Sequence, residues 1–125
     1  MTKKAITVPW ALPGIPYSAG MKIGDFIFVS GQVGAVDNNG KVIEGIEAQT
    51  RQVLERLKGV LEAGGASLDD VVKTTVFITS AADFTRMNEV YAGYFPVNPP
   101  ARSTVVVSLA KPEMLVEIEC IACRP

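Results

Sequence analysis

The chain has 125 residues, 48% of them apolar, with a formal charge of -1 and no histidine. This length suits one compact domain over residues 1–125 and is short for two cores. The near-neutral charge argues against nucleic acid as the main partner, while the missing histidine excludes Ser-His and Cys-His nucleophile systems and removes the commonest ligand of zinc sites.

At the N-terminus, Lys3 and Lys4 precede a segment broken by Pro9 and Pro13. No apolar run there reaches signal-peptide length, and none elsewhere approaches about 18 residues. A cytoplasmic protein with no membrane partner is the expectation. A short strand is expected near Ala5 to Thr7. Tyr17 then lies in GIPYSAG, a Gly/Pro loop without periodicity, where an aromatic can half-cover the core or face a ligand. Met21 to Ile23 and Phe26 to Ser30 flank Gly24-Asp25, a two-residue connection suited to a hairpin. The strand ends in Ser30-Gly31-Gln32, which by itself reads as a turn.

From Ile46 to Ala63 the residues Ile46, Val53, Leu54, Leu57, Val60 and Leu61 form one stripe at helical period, and Gly64-Gly65 supplies the stop. Val71 to Thr79 is rich in β-branched residues and predicts a strand. A second helix is expected to open at Ser80, where Ser80 and Asp83 have the spacing of a capping box. Its broad stripe holds Phe84, Met87, Tyr91, Tyr94 and Phe95. Arg102 to Leu109 and Leu115 to Ala122 flank Ala110-Lys111-Pro112-Glu113 and read as a second hairpin.

The order βββαβαββ implies an α+β fold, a mixed sheet with both helices on one face. Val105, Val107 and Leu109 alternate with Arg102, Thr104, Val106 and Ser108, so both sides of that strand carry apolar residues. The sheet face away from the helices therefore calls for a cover, most simply from sister subunits. Cys120 and Cys123 stand three apart in a strand, which points them to opposite faces and suits two small hydrophobes better than a redox pair or metal clip.

Two polar residues fit poorly with packing alone. Asn88 lies between Met87 and Tyr91, where an amide must satisfy a loop backbone or a ligand. Arg102, set by Pro99-Pro100 beside an apolar run, needs an anionic fork. Glu117 and Glu119 are candidate internal partners, and the carboxylate of a small ligand is the alternative.

The ordered set GIPYSAG, FVSGQVG, DVVKTTVFI, DFTRMNEVYAGYF, PPARSTVVV and VEIECIA resembles the Rid (YjgF) family of imine/enamine deaminases over nearly the whole chain. The resemblance implies a chorismate-mutase-like, ferredoxin-like fold assembled as a homotrimer with clefts between subunits, and neither metal nor organic cofactor. It implies that Arg102 of the P-A-R-S motif holds the substrate carboxylate and that Glu117 handles water. Tyr17, Ser30, Gly31, Asn88 and Thr104 would contact the imino or enamino acid. Many relatives carry cysteine where this chain has Thr104, so substrate contact through the backbone is expected without thiol chemistry. Trp10, in an unusual opening loop, is expected at the cleft rim.

Overall fold

The computed structural model describes residues 1–125. Its elements run β1 (Lys4–Ile6), β2 (Gly20–Ile23), β3 (Phe26–Val33), α1 (Ile46–Ala63), β4 (Val71–Ile78), α2 (Phe84–Tyr94), β5 (Ala101–Val106) and β6 (Val116–Cys123). This is the expected order of strands and helices. No helix is long and apolar enough to cross a membrane.

The first hairpin forms at Gly24-Asp25, with Ile23 paired to Phe26 and a positive φ of 56° at Gly24. Glycine accepts that conformation without steric cost. Helix α1 covers the anticipated residues and buries the whole anticipated stripe, with Val53, Leu54, Leu57, Val60 and Leu61 fully inaccessible. Each such side chain contributes about 1.5–3 kcal/mol by leaving water. The stripe packs on the inner face of the sheet, where Ile27, Val29, Val76, Ile78, Val116, Ile118, Cys120 and Ala122 complete the core. The second helix starts later than expected. Ala81–Asp83 form a 3₁₀ turn before α2, and Ser80 Oγ accepts from the Ala82 amide while the Asp83 side chain makes no cap. A reciprocal Ser–Asp cap occurs instead at Ser67 and Asp70, with the Ser67 amide donating to Asp70 Oδ2 at 2.9 Å.

The expected second hairpin does not form. The six strands lie in the order β1-β2-β3-β6-β4-β5, so β4 separates β5 from β6. Helix α2 acts as a crossover that leaves β5 parallel to β4, pairing Thr74 with Arg102 and Val76 with Thr104. Strand β6 is antiparallel to both β3 and β4. Its central position follows from its alternation: Val116, Ile118, Cys120 and Ala122 are all buried, whereas β5 has no fully buried residue and takes an edge. A turn signal such as Lys111-Pro112 reports a change of direction and not which strand intervenes. After β5 the chain passes the end of β4, held there by Val107 N–H donating to Ile78 O and Thr79 N–H donating to Leu115 O.

One face of the sheet remains open. Register places Met21, Phe28 and Ile121 together on that face, and Val105, Phe77 and Glu117 together farther along it. Phe26 and Phe28, their ring centroids 6.5 Å apart, and Val105 farther along are each more than 40% exposed, more large apolar surface than is typical of a solvated face. Cys120 and Cys123 point to opposite faces as anticipated. Cys120 is buried, its thiol pushed up to about 12 by burial and then by Glu119, while Cys123 is only half-buried on the open face.

Candidate functional site

The site residues fall into two groups on opposite faces of the sheet. The first surrounds an irregularity in β3, where the register with β6 shifts between Val29 and Gln32. The extra residue there, Ser30-Gly31 facing the Glu119 region, is what the Ser-Gly pair provides for. Ser30 Oγ donates to Ser18 O at 2.6 Å and Ser30 N–H donates to Ala19 O at 2.9 Å, so the strand staples the loop that presents Tyr17. Tyr17 itself is 56% exposed. Gln32, nearly buried, donates from Nε2 to Ser30 O at 3.1 Å and accepts from Trp10 Nε1 at 3.0 Å. Trp10 is thereby tied down, its ring against Gly59 of α1, and it lines a cleft of about 470 Å³ with Leu12, Tyr17 and Gly31.

Glu117 extends from the open face of β6, opposite Phe77 on one side and Val33 on the other. Its carboxylate lies over Gly31, where any Cβ would collide with Glu117 Oε2. Glycine is needed there for space rather than for a special dihedral angle. Burial, and secondarily the charge of Glu119, raises the Glu117 pKa above the ordinary value of 4.5. Loss of water disfavours the ionised form, the usual way a carboxyl becomes a proton acceptor and donor nearer neutrality. Gly31→Ala is expected to push this carboxylate outward, and an NMR titration of Glu117 should then give a pKa closer to 4.5 than in the wild type. On the same open face, Ser18, Met21, Phe28, Ser30, Glu119 and Ile121 line a shallow depression of about 360 Å³.

The second group lies at the β5 edge on the helix-covered side. Arg102, paired with Thr74, sits over two rings, with Cζ 4.8 Å from the Tyr91 centroid and 5.7 Å from that of Phe84. The Tyr91 hydroxyl meets Thr74 Oγ1 at 2.7 Å in a buried hydrogen bond. Burial raises the Tyr91 pKa, opposed by the Thr74 bond and the Arg102 charge. Asn88 lies between Phe84 and Tyr91 on the same stripe of α2, and its buried Oδ1 has no hydrogen-bond partner. Thr104 is half-buried two residues beyond Arg102.

The internal ion pair considered for Arg102 is absent. The chain's salt bridges are Arg86–Glu47 and Arg124–Asp70, and Glu117 and Glu119 project from the other face of the sheet. Arg102, Asn88 and Thr104 therefore share one locality, and Tyr17, Ser30, Gly31 and Glu117 share another. Within one chain the two groups do not meet.

Sequence reading overlooked Arg56 and the part played by Gln49. Both are almost fully buried on the apolar stripe of α1. Arg56 donates to Val33 O at 2.7 Å, Val36 O at 2.8 Å and Asn38 Oδ1 at 3.1 Å, fixing the chain after β3. Gln49 Nε2 donates to Ile43 O and Glu113 O, each at 3.0 Å, and its Oε1 accepts from Leu115 N–H at 2.9 Å. Gln49 thus sets the chain two residues before Glu117. The signal was available: Gln49 follows Ile46 by three positions and Arg56 follows Val53 by three, which puts polar groups on a buried face.

Comparison with known proteins gives this geometry its context. The family model described as Endoribonuclease L-PSP matches residues 10–124. A RutC family protein of Pyrococcus horikoshii is 49% identical over 87% of each chain. The 2-iminobutanoate/2-iminopropanoate deaminase of Salmonella typhimurium is 39% identical, covering 87% of this chain and 88% of that one. Among solved structures, the Escherichia coli YjgF gene product superposes with a TM-score of 0.89 at 37% identity, over 98% of this chain and 99% of its own. Escherichia coli TdcF with bound serine gives 0.89 at 36%, with the same coverage. The matched span, the continuous coverage and the identity together establish that this chain belongs to the YjgF/Rid family.

Proposed function

We propose that the protein hydrolyses short 2-imino acids, and their 2-enamino tautomers, to 2-keto acids and ammonium. The observation that carries this reading is Arg102: a guanidinium on an edge strand, backed by rings and without an internal carboxylate. Such a group is available to fork onto a ligand carboxylate. The deaminase name of the Salmonella relative and the serine held by TdcF point to small molecules of the same kind.

The opposite placement of Arg102 and Glu117 has a natural resolution in a homotrimer. If the β5 edge of one subunit meets the open face of the next, the carboxylate anchor is brought to Glu117, and Phe26, Phe28 and Val105 are covered. The exposed apolar face supports this arrangement. Arg102 then fixes the substrate, Tyr17 covers it, and backbone near Thr104 and Ser30 holds the nitrogen. Ionised Glu117 takes a proton from water as its oxygen attacks the carbon of the protonated imine, giving a neutral carbinolamine. The same carboxyl returns that proton to nitrogen, the C–N bond breaks as the C=O bond forms, and the carbinolamine hydroxyl proton passes to the departing ammonia, leaving the keto acid and ammonium. Positioning and proton transfer suffice for so electrophilic a substrate.

The family description mentions an endoribonuclease, but the chain's net charge of -1 and lack of histidine offer little to an RNA backbone. A trimer that binds small carboxylates without turning them over is the closer rival, since it would need the same arginine. To decide, 2-aminoacrylate is generated in situ by a pyridoxal-phosphate-dependent dehydratase and keto-acid release is followed. Faster release with the protein present is expected; an unchanged rate would remove the deaminase reading.

A further inference from the structure

We propose that Phe84 and Tyr91 are the positioning residues of the carboxylate anchor, holding Arg102 by their ring faces in place of an anionic partner. The inference rests on the reading of Arg102 as the anchor and extends it to how the anchor is kept ready. A buried or half-buried arginine is ordinarily steadied by Asp or Glu. Here no Asp or Glu oxygen comes within 4.0 Å of the guanidinium, whereas two rings do lie within cation–π range.

The support is closed into a loop. Thr74 on β4 is the register partner of Arg102 on β5, and the same Thr74 is hydrogen-bonded to the Tyr91 hydroxyl. Tyr91 is in turn packed against Phe95, ring centroids 4.7 Å apart, and is only 5% exposed. Its ring therefore has a fixed position relative to the strand that carries the arginine. Phe84, one end of the stripe, is 43% exposed and forms the outer part of the support.

Ring faces and carboxylates would prepare the site differently. An internal carboxylate would occupy the N–H fork and repel an incoming anion. An aromatic face attracts the cation through its quadrupole and leaves the in-plane N–H groups unused. The site then favours small ligands with an ionised, planar carboxylate, because the ligand supplies the first full countercharge the arginine meets.

The test measures binding of 2-oxobutanoate, an unreactive keto acid, by calorimetry, alongside imine turnover. Phe84→Leu and Tyr91→Leu are each expected to raise the dissociation constant about three- to tenfold, with KM rising similarly and kcat at saturation nearly kept. Tyr91→Phe, which keeps the ring, should restore most of the affinity. Tyr91 is buried and its leucine variant can fail to fold, so Phe84→Leu at a more exposed position decides in that case. Unchanged 2-oxobutanoate binding in folded ring variants would overturn the proposal, as would equal losses in Tyr91→Phe and Tyr91→Leu. No binding by the wild type would overturn it too. Weakened binding in the ring variants together with no imine hydrolysis by the wild type would uphold the support of Arg102 and remove the deaminase reading alone.

Discussion

Arg102→Ala is expected to lower kcat/KM for the imine of 2-aminoacrylate by about a hundredfold or more, while leaving the melting temperature close to that of the wild type. The size follows from losing a charge-assisted, bidentate contact that both binds and orients the substrate. The small effect on folding follows from the absence of any salt bridge to Arg102: its removal strands no buried carboxylate, and it forfeits only the contacts to Phe84 and Tyr91. Steady-state kinetics and a thermal melt on the same preparation check both halves. Undiminished turnover would show that another group anchors the substrate. Arg102→Lys should recover little, because an ammonium is a point charge without the planar fork.

Glu117→Gln is expected to remove turnover by about two to four orders of magnitude, the range for losing a positioned acid–base group, and to leave 2-oxobutanoate binding nearly intact. Kinetics and calorimetry separate these outcomes. In the wild type, activity that requires ionised Glu117 should fall as pH drops through a value above 4.5, since burial and Glu119 both raise this pKa. The same shift fixes the sign of the stability effect. The folded chain keeps the Glu117 proton at pH values where the unfolded chain has released it, so this group's contribution becomes less favourable as pH rises from about 4.5 to the raised folded value. Above that raised folded value the wild type carries the cost in full. The glutamine variant should therefore melt somewhat higher than the wild type near pH 7, with the difference shrinking on acidification. A less active but more stable protein is the expected behaviour of a residue retained for chemistry.

How far the fold could be read from the chain depended on what kind of information each element needed. Helix α1 was legible to its ends because a helical stripe and a glycine stop are local facts, and all six stripe residues are buried. The opposed faces of Cys120 and Cys123 were equally local, being a matter of strand parity. The partnering of β5 and β6 was not legible: two strands joined by a Pro-containing turn look alike whether they pair directly or straddle a third, and α2 decided the matter by acting as the crossover that made β5 the parallel neighbour of β4. At the candidate site, Arg102 stood out because a charge beside an apolar run needs a partner. Its lack of an internal one required knowing that Glu117 and Glu119 lie across the sheet, which follows from the pairing the sequence left ambiguous. Gln49 was harder, since its partners are backbone groups of loops and any sequence supplies those.

The division of Arg102 and Glu117 between two faces of one sheet has a genetic consequence under the proposed assembly. Each cleft draws on two copies of the chain, so no single polypeptide owns an active site. A copy damaged at Arg102 still offers an intact Glu117 to its neighbour, and a copy damaged at Glu117 still offers an intact arginine. Two defective alleles expressed together can therefore rebuild some working clefts, so lesions at the two positions would complement one another although they lie in the same gene.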